Sequence, residues 1–348
     1  HDVHVGAAYR LKDVSWSYLA PRRESWVGFF GQDTLKIGSR VQLVASLRAD
    51  YVPYLQQLVP SPRGSLIVKP DARSAVRLSG STAFRAPSFV EAYVDLPVQA
   101  PSAPGAGALT ESRRTDQGGT FKLKRERVVS VDLGYQNQQS DAVTFEVTGY
   151  YLQVKDLIAL ANTSPETLST NRLAGLDPES GLMVAAFSGW ENQCLVYNTF
   201  GGEAGAKVFP AEGLDLFVNY SLNLQRATRP AGCADVENRQ TSQHKVNAGV
   251  QMRTRPGFDG ELTVHYASSQ LWAERVSPPA TEADTSLRTV TASVDGYVLL
   301  NARLGYRFLN NQAEASVTGF NLLGQRQSQH PYGQVIGRRF MGFLSYRF

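Results

Sequence analysis

The chain has 348 residues, 42% of them hydrophobic, with 35 basic against 31 acidic side chains and a net charge of +4. That balance is too small to argue for a nucleic-acid partner, and no Lys/Arg run of the kind that marks one is present. No stretch approaches the roughly 18 apolar residues of a membrane-spanning helix, so any membrane reading must rest on strands.

In chain order, period-two alternation predicts about fourteen strands, near residues 3–17, 24–36, 40–51, 60–69, 74–84, 126–137, 142–155, 194–209, 213–225, 240–254, 258–270, 295–307, 312–322 and 336–348. Val129, Val131, Leu133 and Tyr135 alternate with Ser130, Asp132, Gly134 and Gln136. Leu214, Leu216, Val218, Tyr220 and Leu222 alternate with polar residues, Phe217 excepted. Val298, Leu300, Ala302, Leu304 and Tyr306 oppose Asn301, Arg303 and Arg307. Runs of about ten residues suit tilted strands crossing a bilayer, and the three- and four-residue spacing of a helix is absent.

The connections divide into two kinds. Lys69 to Ala72, Gln138 to Asp141, Pro210 to Glu212, Arg255 to Gly257 and Leu309 to Asn311 are short, whereas 85–125, 156–193, 226–239, 271–294 and 323–335 are long. Short turns at one end and long loops at the other is the asymmetry of an outer-membrane barrel. The stretch Pro97 to Ala108 (PVQAPSAPGAGA) reads as a solvated linker, although such loops are also where recognition residues lie. The fold class expected is therefore all-β, a transmembrane antiparallel barrel, with residues 1–348 as one β-barrel portion.

The last twelve residues, Gly337 to Phe348, sharpen this expectation. Phe340, Leu344, Tyr346 and Phe348 share one parity with Gly342, while Arg339, Met341, Ser345 and Arg347 share the other, broken by Phe343. A chain ending on an exposed aromatic invites aggregation in a soluble edge strand, but in a barrel wall the ring sits in the aromatic girdle. These residues resemble the C-terminal assembly signal read by the outer-membrane barrel-assembly machinery. Two cysteines, Cys194 and Cys233, have no CxxC spacing; they are either a loop-tying disulfide or two unrelated buried thiols. Position 1 is His, so the chain is either a processed form or part of something longer.

Several segments together resemble the barrel of TonB-dependent outer-membrane receptors. In Ser81 to Tyr93 (STAFRAPSFVEAY), the residues Phe84, Arg85, Ala86, Pro87, Ser88, Phe89 and Glu91 match a family signature. Gly31 to Tyr51, Ser61 to Leu66, Glu126 to Tyr135, Tyr150 to Leu157, Gly319 to Leu323 and the terminal strand match in order. Two departures, Arg125-Glu126 for Pro-Glu and Gly205-Ala206-Lys207 for Gly-x-Glu, fall on structural positions. Family members have about 22 strands around a plugged lumen, so the resemblance implies a C-terminal portion whose plug and early strands lie upstream. It further implies energised uptake of a scarce nutrient complex, such as an iron–siderophore, driven by the TonB complex in a Gram-negative cell. Ligand contacts would fall on the loops 85–125, 156–193 and 271–294.

Two other readings compete. A complete fourteen-stranded passive channel explains the strand number but not the FRAPSF signature. An outer-membrane enzyme would need a catalytic cluster; the five histidines (His1, His4, His244, His265, His330) are scattered, and His265 reads as a solvated lumen residue. His1-Asp2-Val3-His4 could ligate a metal, but no catalytic residue, metal site or cofactor is expected. Trp26, Tyr150, Tyr151, Trp272, Tyr306 and Phe308 read as membrane girdle, and Arg48, Arg77, Arg303, Arg307 and Arg339 as lumen residues paired with acids.

Overall fold

The structure is a computed structural model that describes residues 1–16, 19–94, 97–100, 108–113, 122–163, 183–233, 235–276 and 288–348. The strands are β1 (Asp2–Trp16), β2 (Leu19–Ile37), β3 (Val41–Val52), β4 (Gln57–Asp71) and β5 (Ser74–Arg85), followed by the short helix α1 (Phe89–Tyr93). Next come β6 (Pro97–Ala100), β7 (Ala108–Arg113), β8 (Glu126–Ser140), β9 (Val143–Lys155), β10 (Ile158–Thr163), β11 (Met183–Asn192), β12 (Val196–Ala211) and β13 (Leu214–Thr228). The last are β14 (His244–Arg253), β15 (Phe258–Ala267), β16 (Gln270–Val276), β17 (Arg288–Val294), β18 (Tyr297–Phe308), β19 (Ala313–Phe320) and β20 (Arg339–Tyr346).

Fourteen strands form one sheet in the order β1-β2-β3-β4-β5-β8-β9-β12-β13-β14-β15-β18-β19-β20, each hydrogen-bonded to its antiparallel neighbour. These are the strands the alternation predicts. The sheet is open: among the described residues β1 and β20 each have a neighbour on one side only.

The alternation is two-faced in space. One face carries Val5, Tyr9, Phe29, Leu47, Leu78, Leu133, Val147, Phe200, Val218, Leu262, Leu304, Val317 and Leu344, all exposed. Large apolar side chains left uncovered over a whole sheet face mark a surface made for lipid. The opposite face is polar, with Arg77 paired to Asp132 at 2.9 Å and Arg303 paired to Asp259 and Glu314. Arg48 is paired with Asp50 at 2.6 Å. These lumen arginines find acids on their own or adjoining strands. On this face glycines make room for larger neighbours: Tyr150 lies over Gly201, and Phe217 over Gly249, which accommodates the one break in its strand's alternation.

Three expectations are corrected. The turns at Lys69–Ala72 and Pro210–Glu212 lie further along, because β4 and β12 run through Pro70 and Pro210. Both prolines sit in register shifts, Val68/Asp71 and Val208/Ala211, where a bulge removes the need for their missing N–H. The second correction concerns the long loops, which contain their own strands. β10, β11, β7 and β6 form a separate four-stranded sheet in which β11 and β7 run parallel, and β16 pairs with β17. Within the expected linker 97–108, Pro97–Ala100 is therefore strand β6; residues 101–107 lie outside the described residues. Third, Trp26 and Tyr150 are not girdle residues: both lie on the lumen face, Trp26 bonded to Glu24 and Tyr150 over Gly201. Trp272 belongs to the hairpin β16–β17, outside the wall.

Candidate functional site

The buried core of the described residues does not lie inside the wall but at its long-loop end. Tyr54, Ala92, Tyr93, Leu123 and Ile158 are buried together, with Val14, Leu55, Phe89 and Trp190 packed against them. They come from the β3–β4 turn, α1, the segment before β8, and β10, so hydrophobic packing ties several connections into one platform. Tyr54 and Tyr93 meet edge-to-face at 5.9 Å, and the Tyr54 hydroxyl accepts the Leu123 amide at 2.9 Å.

Beneath this platform the FRAPSF segment forms a charged knot. Arg85, the last residue of β5, lies opposite Glu126, the first of β8. Its Nε and Nη2 donate to the two carboxylate oxygens of Glu126 at 2.6 and 2.5 Å. Its Nη1 donates to both oxygens of Glu91 at 2.9 and 2.8 Å. This fork-on-carboxylate geometry is what a planar guanidinium supplies and an ammonium does not. Pro87 ends the strand, and Ser88 then caps α1: its hydroxyl accepts from the Glu91 amide, while the Glu91 carboxylate accepts the Ser88 amide at 2.7 Å. Burial pushes the Glu91 carboxyl up, but Arg85 and the Ser88 amide outweigh it and hold the group below the usual carboxylate range. Glu126 also accepts the Ile158 amide at 2.8 Å, so the knot reaches β10.

A second set of bonds joins the platform to the lumen wall. The Tyr93 hydroxyl donates to Glu24 at 2.5 Å, Trp26 Nε1 donates to the other oxygen of Glu24 at 2.8 Å, and Lys12 Nζ sits 3.8 Å from the Trp26 ring centroid. Burial, then Glu24, raise the Tyr93 hydroxyl pKa, which keeps it a donor. Alongside lies an open cavity of about 740 Å³, lined by Arg10, Lys12, Trp26, Arg48, Asp50 and Arg85 among others. Its size is that of a small-molecule site. Arg85 and Arg48 donate to Glu91, Glu126 and Asp50, whereas Lys12 and Arg10 line the space, Lys12 lying over the Trp26 ring. Gly28 keeps the floor low, since a Cβ there would collide with the Arg48–Asp50 pair.

The other sequence-derived residues distribute as follows. Phe340, Leu344 and Tyr346 point outward from β20, and Phe348 follows, fully exposed. Cys194 and Cys233 are joined as a disulfide with Cα atoms 5.8 Å apart, linking the residues before β12 to the β13–β14 connection. Asp235 lies against it, accepting the Cys194 amide at 2.7 Å; the two sulfurs and this carboxylate are grouped, but sulfurs bonded to each other are not thiolate ligands. His265 bonds to Asn247 at 2.6 Å on the lumen face, and His1 to Asp33 at 2.8 Å. Glu24, Tyr93, Tyr54, Arg10 and Lys12 are members of the site that sequence reasoning did not single out, and Glu126 entered it only as a departure from the family pattern. The Ser88-x-x-Glu91 spacing was a readable capping signal; the Glu24–Tyr93 bond, 69 residues apart, had none.

Comparison with known proteins agrees with this architecture. A family model for the TonB-dependent receptor-like β-barrel matches residues 2–322. The fold is similar to the siderophore receptor PirA from Acinetobacter baumannii, with a TM-score of 0.68 at 17% identity over 94% of this chain and 46% of that one. A ferric enterobactin receptor (PfeA) mutant from Pseudomonas aeruginosa gives 0.67 at 18% identity over the same shares. The copper transporter OprC gives 0.63 at 15%, covering 93% of this chain and 48% of that one. The chain thus spans about half the length of these receptors. A sequence comparison with curated proteins found no match.

Proposed function

Because the chain belongs to the TonB-dependent receptor-like β-barrel family, we propose that it is the C-terminal barrel portion of an outer-membrane receptor that takes up a scarce nutrient complex, such as an iron–siderophore, with energy delivered through TonB. One observation carries the reading: a sheet with a lipid-type outer face and a polar inner face ends, at its long-loop end, in a built platform over a cavity of about 740 Å³. A passive pore needs only a hydrophilic bore; a receptor needs a shaped site where ligand is held. The remaining strands and a plug would be supplied by sequence upstream, closing the two free edges that lipid does not tolerate.

In this reading Arg85, Glu91 and Glu126 do not contact ligand but hold the loops, while Arg10, Lys12 and Trp26 face it. The loops 85–125, 156–193 and 271–294 provide the outer contacts, and their anchoring on a rigid wall lets them vary without disturbing the strands. The barrel-assembly machinery would recognise the terminal aromatic strand. The test is growth of a deletion strain on single iron complexes, complemented by the intact gene or by one lacking the tips of those loops. Growth restored by both forms equally would refute the assignment of recognition to the loops.

A further inference from the structure

We infer that the outer wall of β8, β9, β12 and β13 carries a binding site for a phosphorylated lipid headgroup of the leaflet at the long-loop end, formed by Arg127, Lys155 and Arg226. The register gives the arrangement directly. Val131, Tyr151, Phe200 and Leu224 form one outward-facing row across the four strands. The next row toward the long loops is Val129, Gln153, Asn198 and Arg226, and beyond it Arg127 lies opposite Lys155. Among the described outward-facing residues of these strands, those three are the only charged side chains. All are basic, all are exposed, and all lie in the last rows before the loops.

The transition between the rows is the one a membrane interface imposes. Tyr151 and Phe200 meet at a tilt of 41° with ring centroids 4.9 Å apart, at the level where an aromatic belt lies. The Tyr151 hydroxyl points away from the apolar band and donates to Asn198 at 2.8 Å; Gln153 donates to both, and Asn198 donates to Thr228 at 3.1 Å. This polar net satisfies its own groups and leaves the three cations beyond it. None of the three has a carboxylate partner among the described residues. Cations on a barrel's lipid face are tolerated at the interface and not deeper, and there they meet the headgroups. With strands about 4.8 Å apart, the three gaps from β8 to β13 set Arg127 and Arg226 about 14 Å apart across the wall with Lys155 between them, wide enough for a headgroup with two phosphates. The same strands carry Glu126, Asp132, Glu146 and Glu203 on the inner face, so the outward side alone is purely basic.

The inference rests on the outer-membrane placement proposed above, not on the transported nutrient. Its test uses the full-length receptor in phosphatidylcholine nanodiscs doped with a bisphosphorylated acylated disaccharide lipid, or with the same lipid stripped of phosphate, and bound lipid is counted by native mass spectrometry. The variant Arg127→Gln/Lys155→Gln/Arg226→Gln should bind the phosphorylated lipid roughly a hundredfold more weakly, from about fivefold per cation at a charged membrane surface. Arg127→Lys/Arg226→Lys should stay close to wild type. Should the triple variant not assemble, Arg226→Gln alone is read against the fivefold expectation. Equal binding of the stripped lipid, displacement by inorganic phosphate at matched concentration, or an unchanged triple variant would overturn the site. Nutrient-dependent growth of the same variants separates this outcome from failure of the transport reading.

Discussion

Arg85 and Glu126 face each other across the last rung of β5 and β8 and share two hydrogen bonds, at 2.6 and 2.5 Å. The pair closes the wall where the loops begin, and through Glu91 and the Ile158 amide it also fixes α1 and β10. Arg85→Ala leaves two carboxylates close together without their cation. The expected cost is about 1.5–3 kcal/mol, the range for hydrogen bonds to charged groups, and it falls on the loop end rather than the wall. Limited proteolysis should cut within 86–125 and 156–195 several times faster while heat-modifiable gel mobility stays normal. Arg85→Lys should restore little of the protection, since it cannot fork onto both acids.

The same knot has a pH signature. Glu91 has a folded-state pKa below its ordinary value of 4.5, so its contribution is fully present above that value and is lost as pH falls through the folded-state pKa. Hydrogen exchange at α1 should therefore be insensitive to pH near neutrality, once corrected for intrinsic rate, and accelerate only well below pH 4.5. Glu91→Gln should raise exchange at neutral pH and flatten this dependence. An unchanged profile in the variant would remove Glu91 from the knot.

Cys194 and Cys233 join two connections of the long-loop end across a separation of 39 residues. Closing a loop of that length is worth about 2–4 kcal/mol. Protein isolated without reductant should show no alkylatable thiol. Cys194→Ser/Cys233→Ser should leave the barrel assembled but open residues 229–243 to protease. Two free thiols in the untreated protein would contradict the pairing.

The terminal strand should govern assembly. Phe348 is fully exposed, and Phe340, Leu344 and Tyr346 are exposed on the outward face, a surface no soluble edge retains. Deleting Phe348, or making Tyr346→Ser/Phe348→Ser, should reduce the folded, heat-modifiable form in the outer-membrane fraction several-fold, with unfolded protein degraded. Normal folded yield would show that assembly does not depend on these rings.

Strand positions in the main sheet were legible because period-two alternation is a local signal that burial enforces along each strand. The loop sheet was not. β7 and β11 pair in parallel from two separate connections, a choice made by tertiary packing that leaves no periodic trace. Trp26 was misread from its place near a strand end, yet its parity with Glu24 puts it on the lumen face, since alternation fixes the face more firmly than proximity to an end does. Pro70 and Pro210 were read as turn residues because a bulge, which makes them tolerable in a strand, is visible only once the partner strand is known. At the site, the Ser88–Glu91 capping box could be read, whereas Glu24 and Tyr93 are brought together only when the connection after β5 lays α1 against β2.

The proposed energised uptake is measured most directly as accumulation of a radiolabelled iron complex by cells expressing the full-length receptor, before and after the proton gradient is dissipated. Accumulation should collapse to the level of a deletion strain when the gradient is removed, while surface binding of the complex at the same concentration is retained. Accumulation that continues unchanged without the gradient would contradict the account and leave a passive channel in its place.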